Sequence, residues 1–264
     1  MTDTPLPPPP NERPIRWRAP VMALAAAAVL AIGIGGYLRS KPGRSAQPPI
    51  TSSQMTATGV GAVDSLTLPD GTRSILGPLS AITVLKGYGA ERREVEARGD
   101  VFFEVVHDAS SPFITRAMGV TITDIGTAFT VRTDSSTGVS VTVREGAVSL
   151  KRADSTSASG VVVRAGQHAL FALDGQTTKR PAAQQDMAWM QHRLVFREAP
   201  MSEVSESFRR WYGVHLRLAD ESTARRHVTA TLSGDSADAA LEILRRTLGT
   251  KIERRGDTAI VGYN

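Results

Sequence analysis

Cysteine is absent from the 264 residues. That excludes a disulfide scaffold, thiolate catalysis and cysteine-ligated zinc or iron–sulfur centres. Histidine is sparse, at His107, His168, His192, His215 and His227. None lies in HExxH or has a close partner at metal-ligand spacing, so no metal centre or other cofactor is expected. There is no GxSxG elbow. His107-Asp108 stands beside Ser110 and Ser111, too close in sequence for triad geometry. A phosphate-binding loop is also missing, and Gly33-Ile34-Gly35-Gly36 sits inside an apolar run with no βαβ unit around it. Aromatic residues make up only 5% of the chain.

What the sequence does have is one long uncharged run. Ala19 to Leu38, APVMALAAAAVLAIGIGGYL, carries no charge over 20 positions. At helical rise it spans about 30 Å, the thickness of a hydrocarbon core. It reads as a single transmembrane helix with Tyr37 at an interface. A cleaved signal peptide is the alternative, disfavoured by Arg39, Lys41 and Arg44 after the run. These bases and Arg13, Arg16 and Arg18 bracket the span. Against Asp3 and Glu12 they give this end +4 of the total +5. The remainder, with 25 basic and 24 acidic side chains, is nearly neutral. The charge therefore reads as headgroup anchoring, and no nucleic-acid partner is expected. Three bases on each side leave the orientation undecided by charge. Residues 1–18 are a short proline-rich tail that cannot build a core, so the folding capacity follows the span.

Residues 39–60 read as a linker. From Gly61 the apolar pattern has period two: Leu66 and Leu68, Ile82 and Val84, Val120 and Ile122, Phe129 and Val131, Val139 to Val143, Val161 and Val163. Turn signals separate these runs, so residues 61–178 are expected to form a domain of many short strands. The clustered Glu91, Glu94 and Glu96 alternate with Arg92, Arg93 and Arg98, which reads as local charge compensation. Residues 179–193 form a junction, with Trp189 and Met190 packing across it.

In residues 194–264 the period changes. Pro200 opens a helix with the stripe Val204, Phe208, Trp211 and Tyr212, stopped by Gly213. Strands follow at His215–Leu218 and His227–Leu232. Asp235 is placed to cap a second helix, with Asp238 in its first turn and Gly249 at its end. A hairpin turning near Gly256-Asp257 closes the chain. Two helices on one face of a small mixed sheet are predicted. Phe208, Trp211 and Tyr212 read either as core or as a docking rim for a partner, and an exposed sheet edge could accept a partner strand.

The β motifs occur in a set order. SLTLPDGTRSILGPLSAITV at 65–84 supplies Leu68, Pro69, Asp70, Gly71 and Thr72. VEARGDVFFEVVHDASSPFITRA at 95–117 supplies Gly99, Phe103, Val105, Pro112 and Phe113. VTITDIGTAFTVRT at 120–133 supplies Gly126, Thr127 and Phe129. VSVTVREGAVSL at 139–150 supplies Gly146 and Val148, and VVVRAGQHALF at 161–171 supplies Ala165, Gly166 and Gln167. In this order they resemble the FecR family of transmembrane regulators. WMQHRLVF at 189–196 resembles the opening of that family's C-terminal domain, with His192 where glycine is common. The tail is similar in predicted topology to secretin and TonB-type N-terminal modules.

The resemblance implies a mainly β domain followed by a small α/β domain, noncatalytic, with no cofactor. It implies a single-pass protein of the inner membrane with both domains in the periplasm. Partners so implied are the periplasmic signalling domain of a TonB-dependent outer-membrane transporter and an extracytoplasmic-function sigma factor, often in control of iron uptake. Family members commonly carry a cytoplasmic helical domain where only residues 1–18 stand here. A partner protein, a start placed too far downstream, or a separately encoded domain would each account for that. An envelope scaffold and a periplasmic hydrolase are the other classes carried forward.

Overall fold

The computed structural model describes residues 50–124, 126–153, 160–234 and 236–263. The expected tail, membrane span and the first half of the linker lie outside them, as does Asp235. Among the described residues no helix is long and apolar enough to cross a membrane.

The mainly β class expected from the sequence is observed. The first region has fourteen strands: β1 (Gln54–Ala57), β2 (Asp64–Thr67), β3 (Arg73–Leu76), β4 (Ala81–Val84), β5 (Arg93–Arg98), β6 (Asp100–Glu104), β7 (Phe113–Ala117), β8 (Val120–Asp124), β9 (Ala128–Asp134), β10 (Gly138–Glu145), β11 (Ala147–Arg152), β12 (Val161–Arg164), β13 (Gln167–Ala172) and β14 (Thr177–Pro181). They form two seven-stranded sheets, ordered β1-β4-β5-β7-β8-β11-β12 and β14-β13-β10-β9-β6-β3-β2. Pairing is antiparallel except between β5 and β7.

The period-two residues face inward between the sheets. Ile82, Val95, Phe113, Ile122, Val148 and Leu150 of one meet Leu76, Val101, Phe103, Phe129, Val131 and Val141 of the other, all fully buried. Phe103 is central, with its ring 5.4 Å from both Phe113 and Phe129. Alternation plus aromatic contact is the signature of packed sheets.

Two boundaries shift. β1 lies inside the expected linker and pairs with β4 from Gln54↔Val84 to Ala57↔Ala81. All four of its residues are exposed, so it has no apolar alternation for the sequence to display. β14 likewise extends into the expected junction, and it too is exposed throughout.

After two 3-10 turns (Gln184–Asp186 and Ala188–Gln191) comes the second region. It contains β15 (Arg193–Pro200), α1 (Met201–Tyr212), β16 (His215–Leu218), α2 (Glu221–Ala224), β17 (His227–Ser233), α3 (Ala237–Leu248), β18 (Lys251–Arg255) and β19 (Thr258–Tyr263). Its strands make two sheets, β15-β17 and β16-β19-β18, rather than the single mixed sheet predicted. Helix α1 touches β15, β17 and β16, and α3 touches β17 and β18, so both helices lie between the sheets. Periodicity shows that each strand has an inward face but not which strand it pairs with. Pro200 precedes α1 as its cap residue, and Gly213 closes the helix in the left-handed conformation. Ser236 caps α3, accepting from the Ala239 N–H. The short α2 has no apolar stripe to mark it in the sequence; Asp220 caps it by accepting from the Thr223 N–H at 2.8 Å.

Candidate functional site

Three arrangements concentrate buried polar chemistry. The first surrounds the Leu68–Thr72 turn. Leu68 is buried, and Gly71, with φ of 87°, donates its N–H to the Leu68 carbonyl. Asp70 accepts from the Thr72 N–H and Oγ1 at 3.0 and 2.8 Å, and from Arg93 Nε and Nη2 at 2.7 and 2.5 Å. Arg93 also donates to the carbonyls of Val106 and Ser111, and its guanidinium lies 5.8 Å from the Phe113 ring centre. Both side chains of the Asp70–Arg93 pair are at most 7% exposed. The pair ties the turn to β5 and to the loop before Phe113.

Beside it, Gly126 and Thr127 follow β8. Asp124 accepts from the Gly126 N–H and the Thr127 hydroxyl. Gly126 has φ of 84° and packs against the His107 ring so closely that a side chain would not fit. Gly146 and Gly166 hold the turns after β10 and β12.

The second arrangement joins the two regions. Arg210 of α1 points out of its own domain and into the β region. Its Nε and Nη2 donate to the Pro78 carbonyl at 3.1 and 2.8 Å, and Nη2 also donates to Ser80 Oγ at 3.0 Å. Nη2 lies 3.2 Å from Asp100 Oδ2, while Arg132 Nε bonds the other carboxylate oxygen at 2.6 Å. Asp100 is 2% exposed and so sits between two guanidinium groups, one from each region. The carboxylate raises the Arg132 pKa above its usual value, against the opposing effect of burial. Gly99 makes room: at φ of 76°, an added Cβ would stand 2.8 Å from both Arg210 Nη2 and Ser80 Cα.

An apolar contact accompanies these bonds. Trp189, 2% exposed, packs with Phe102 and Ala128, and Met190 and Trp211 rest against the cluster. The rings of Trp211 and His192 meet edge-on at 6.0 Å. His192 has φ of 56° and ends its 3-10 turn in the left-handed conformation that glycine adopts freely.

Of the three aromatic residues proposed for docking, Phe208 is fully buried in the core of its own domain and is closed to a partner. Tyr212 is half-buried against Phe208, at 5.2 Å between ring centres, and Trp211 is half-buried at the joint.

The third arrangement is a cleft of about 380 Å³ lined by both regions, among them Arg132, His168, Arg180, Asp186, Arg193 and Glu203. Asp186 accepts from Arg180 at 2.8 and 2.6 Å and from the Ala183 N–H at 2.7 Å. Burial pushes its carboxyl up, but these donors outweigh it and hold the pKa below the usual value. Burial pushes His168 down to about 4 in spite of Asp186 nearby. Thr142 Oγ1 is 2.8 Å from His168 Nδ1, and Asp186 lies 3.8 Å from that same nitrogen. A catalytic relay needs nucleophile and acid on opposite ring nitrogens, so this is not one. Ser110 Oγ donates to Asp108 rather than to His107. Among the described residues there is no group of His, Asp and Glu able to hold a metal ion.

Asp70, Gly99, Phe103, Phe113 and Phe129 thus stand around the sandwich interior and its joint. Arg93, which holds Asp70 and packs on Phe113, and Arg210, which reaches Asp100 beside Gly99, are not among the residues the sequence singles out. Arg93 sits in a charged run and Arg210 beside a charged neighbour, and both patterns normally mean solvent.

Comparison with known proteins follows the same division. The model of the FecR protein family matches residues 54–149, and that of the FecR C-terminal domain matches 193–261. No match was found among curated proteins. Two crystal structures of a proposed anti-sigma factor from Parabacteroides distasonis ATCC 8503 share the fold. Each has a TM-score of 0.71 and 22% identity, over 80% of this chain and 99% of that one. With both of the family's consecutive domains matched in order, the chain belongs to the FecR family.

Proposed function

We propose that this chain is a noncatalytic, membrane-anchored regulator of the anti-sigma type, with residues 19–38 as its anchor and both folded regions in the periplasm. In this reading the C-terminal region receives the signalling domain of a TonB-dependent outer-membrane transporter. The response passes across the membrane to an extracytoplasmic-function sigma factor, directly or through a second protein. The observation that carries the reading is the Arg210–Asp100–Arg132 joint, buried at Arg210 and Asp100, between two regions that each match the same family. A sensor needs a receiving module held firmly to the module that reports, and this joint supplies that hold. The solved structures of a proposed anti-sigma factor, which share the fold over 80% of this chain, support the class. The polar groups described above satisfy one another and assemble no reacting constellation, which favours regulation over hydrolysis.

The test is a titration of the purified chain with the periplasmic signalling domains of the host's own TonB-dependent transporters. Saturable binding to one of them, lost on removal of residues 194–264, is expected. Equal binding after that removal refutes the assignment of the receiving domain. Binding to none refutes the transporter coupling.

A further inference from the structure

The loop Gly77–Ser80 is held from two sides by segments far apart in sequence. From one side comes α1. Arg210 gives the Pro78 carbonyl two hydrogen bonds and Ser80 Oγ one. From the other comes the chain just after β1. Thr58 donates its N–H to the Ser80 carbonyl at 2.9 Å and its hydroxyl to the Gly77 carbonyl at 2.6 Å. In return the Ser80 N–H donates to Thr58 Oγ1 at 3.0 Å, and the Leu79 N–H to the Gly59 carbonyl at 3.1 Å. The two sides also touch directly, for the Gly61 N–H donates to the backbone carbonyl of Arg210 at 3.0 Å.

The loop itself is under constraint. Leu79 has φ of 50°, a left-handed conformation that is strained for a non-glycine residue. Such a conformation persists only where neighbouring bonds over-determine it. The loop leads directly into β4, the strand that pairs with β1 among the described residues. β1 is a four-residue edge strand, exposed along its whole length, and it is the first strand among the described residues, on the side of the chain nearest the proposed anchor.

We propose that Gly77–Ser80 is a clasp coupling the seating of the C-terminal region to the attachment of the N-terminal strand. With Arg210 seated, the loop is fixed and β1 stays paired to β4. With Arg210 withdrawn, the Pro78 and Ser80 contacts are lost, the left-handed Leu79 relaxes, and Thr58 loses its fixed partners. A partner that shifts α1 thereby loosens the segment leading toward the membrane. This use of the clasp rests on the function proposed above, but the coupling is a property of the free chain. Its failure is therefore distinguishable from a failure to bind a transporter domain.

The experiment is hydrogen–deuterium exchange read by mass spectrometry on the full chain in detergent, without any partner. Arg210→Met is expected to speed exchange in peptides covering residues 54–61 by about tenfold or more, the factor for losing a charged hydrogen bond. Peptides from β10 should keep the wild-type rate. Coupling is reciprocal, so Thr58→Val should speed exchange in residues 201–212 of an otherwise intact domain. If Arg210→Met also loosens β10, the milder Arg210→Lys decides: it keeps the charge, loses the forked contact with Pro78, and should give a smaller acceleration confined to 54–61 and 201–212. Faster exchange in 201–212 with no change in 54–61 overturns the proposal, as does a Thr58→Val chain whose α1 exchanges as in the wild type.

Discussion

The Asp70–Arg93 pair allows its worth to be worked out bond by bond. Asp70→Ala removes four accepted hydrogen bonds, two from Arg93 and two from Thr72. Arg93, 5% exposed at its side chain, then keeps only neutral acceptors. An arginine cannot escape by losing its proton, so the uncompensated buried charge costs about 3–5 kcal/mol. Arg93→Met strands Asp70 between the two Thr72 donors and costs a similar amount. In the double variant no charge is stranded, and the remaining loss is that of the turn's hydrogen bonds and the Phe113 contact. The double variant should therefore fall short of the sum of the singles by about 3 kcal/mol. Urea denaturation of residues 46–264 at pH 7 measures all four corners of the cycle. Additive losses, within about 0.5 kcal/mol, would refute the claim that this pair is buried and mutually dependent.

Other consequences follow from single positions. His168 titrates near 6.5 when unfolded and at about 4 when folded, so its contribution is full above the unfolded value and is lost as pH falls through that window. Stability should drop by up to about 3 kcal/mol on that account, and His168→Gln should flatten this part of the pH profile in denaturation measurements. Gly99→Ala adds left-handed strain and a clash with Arg210 and Ser80, so a loss of about 2–4 kcal/mol is expected in the same assay. At His192, glycine should be tolerated to within about 1 kcal/mol, whereas His192→Val, β-branched in a left-handed position, should lower the melting temperature clearly.

The strands of the sandwich were legible because their inward faces carry valine, isoleucine and phenylalanine at period two. β1 and β14 were not, since exposed edge strands need no apolar face. The second region's helices could be read from their stripes and closing glycines, but the division into two sheets is a matter of pairing, which periodicity does not encode. The motif glycines and aromatics marked the right places without disclosing what holds them. The run from Glu91 to Glu96 illustrates why. Arg92 does compensate the nearby Glu94, yet Arg93 bonds Asp70, 23 positions away. Arg209 and Arg210 differ in the same manner: the first pairs with Glu206 on its own helix, and the second crosses to another domain. A buried arginine outside its helix's apolar stripe is a tertiary fact, visible only once the two regions are brought together.

Under the proposed function the chain governs transcription from outside the cytoplasm. Transcript sequencing of the host with the gene deleted, and again with the wild-type gene restored, tests it most directly. The account predicts that one coherent set of genes sharing a promoter class, transporter genes among them, changes on deletion and returns on restoration. An unchanged transcriptome in the deletion strain, under conditions where the protein is present in the parent, would contradict it.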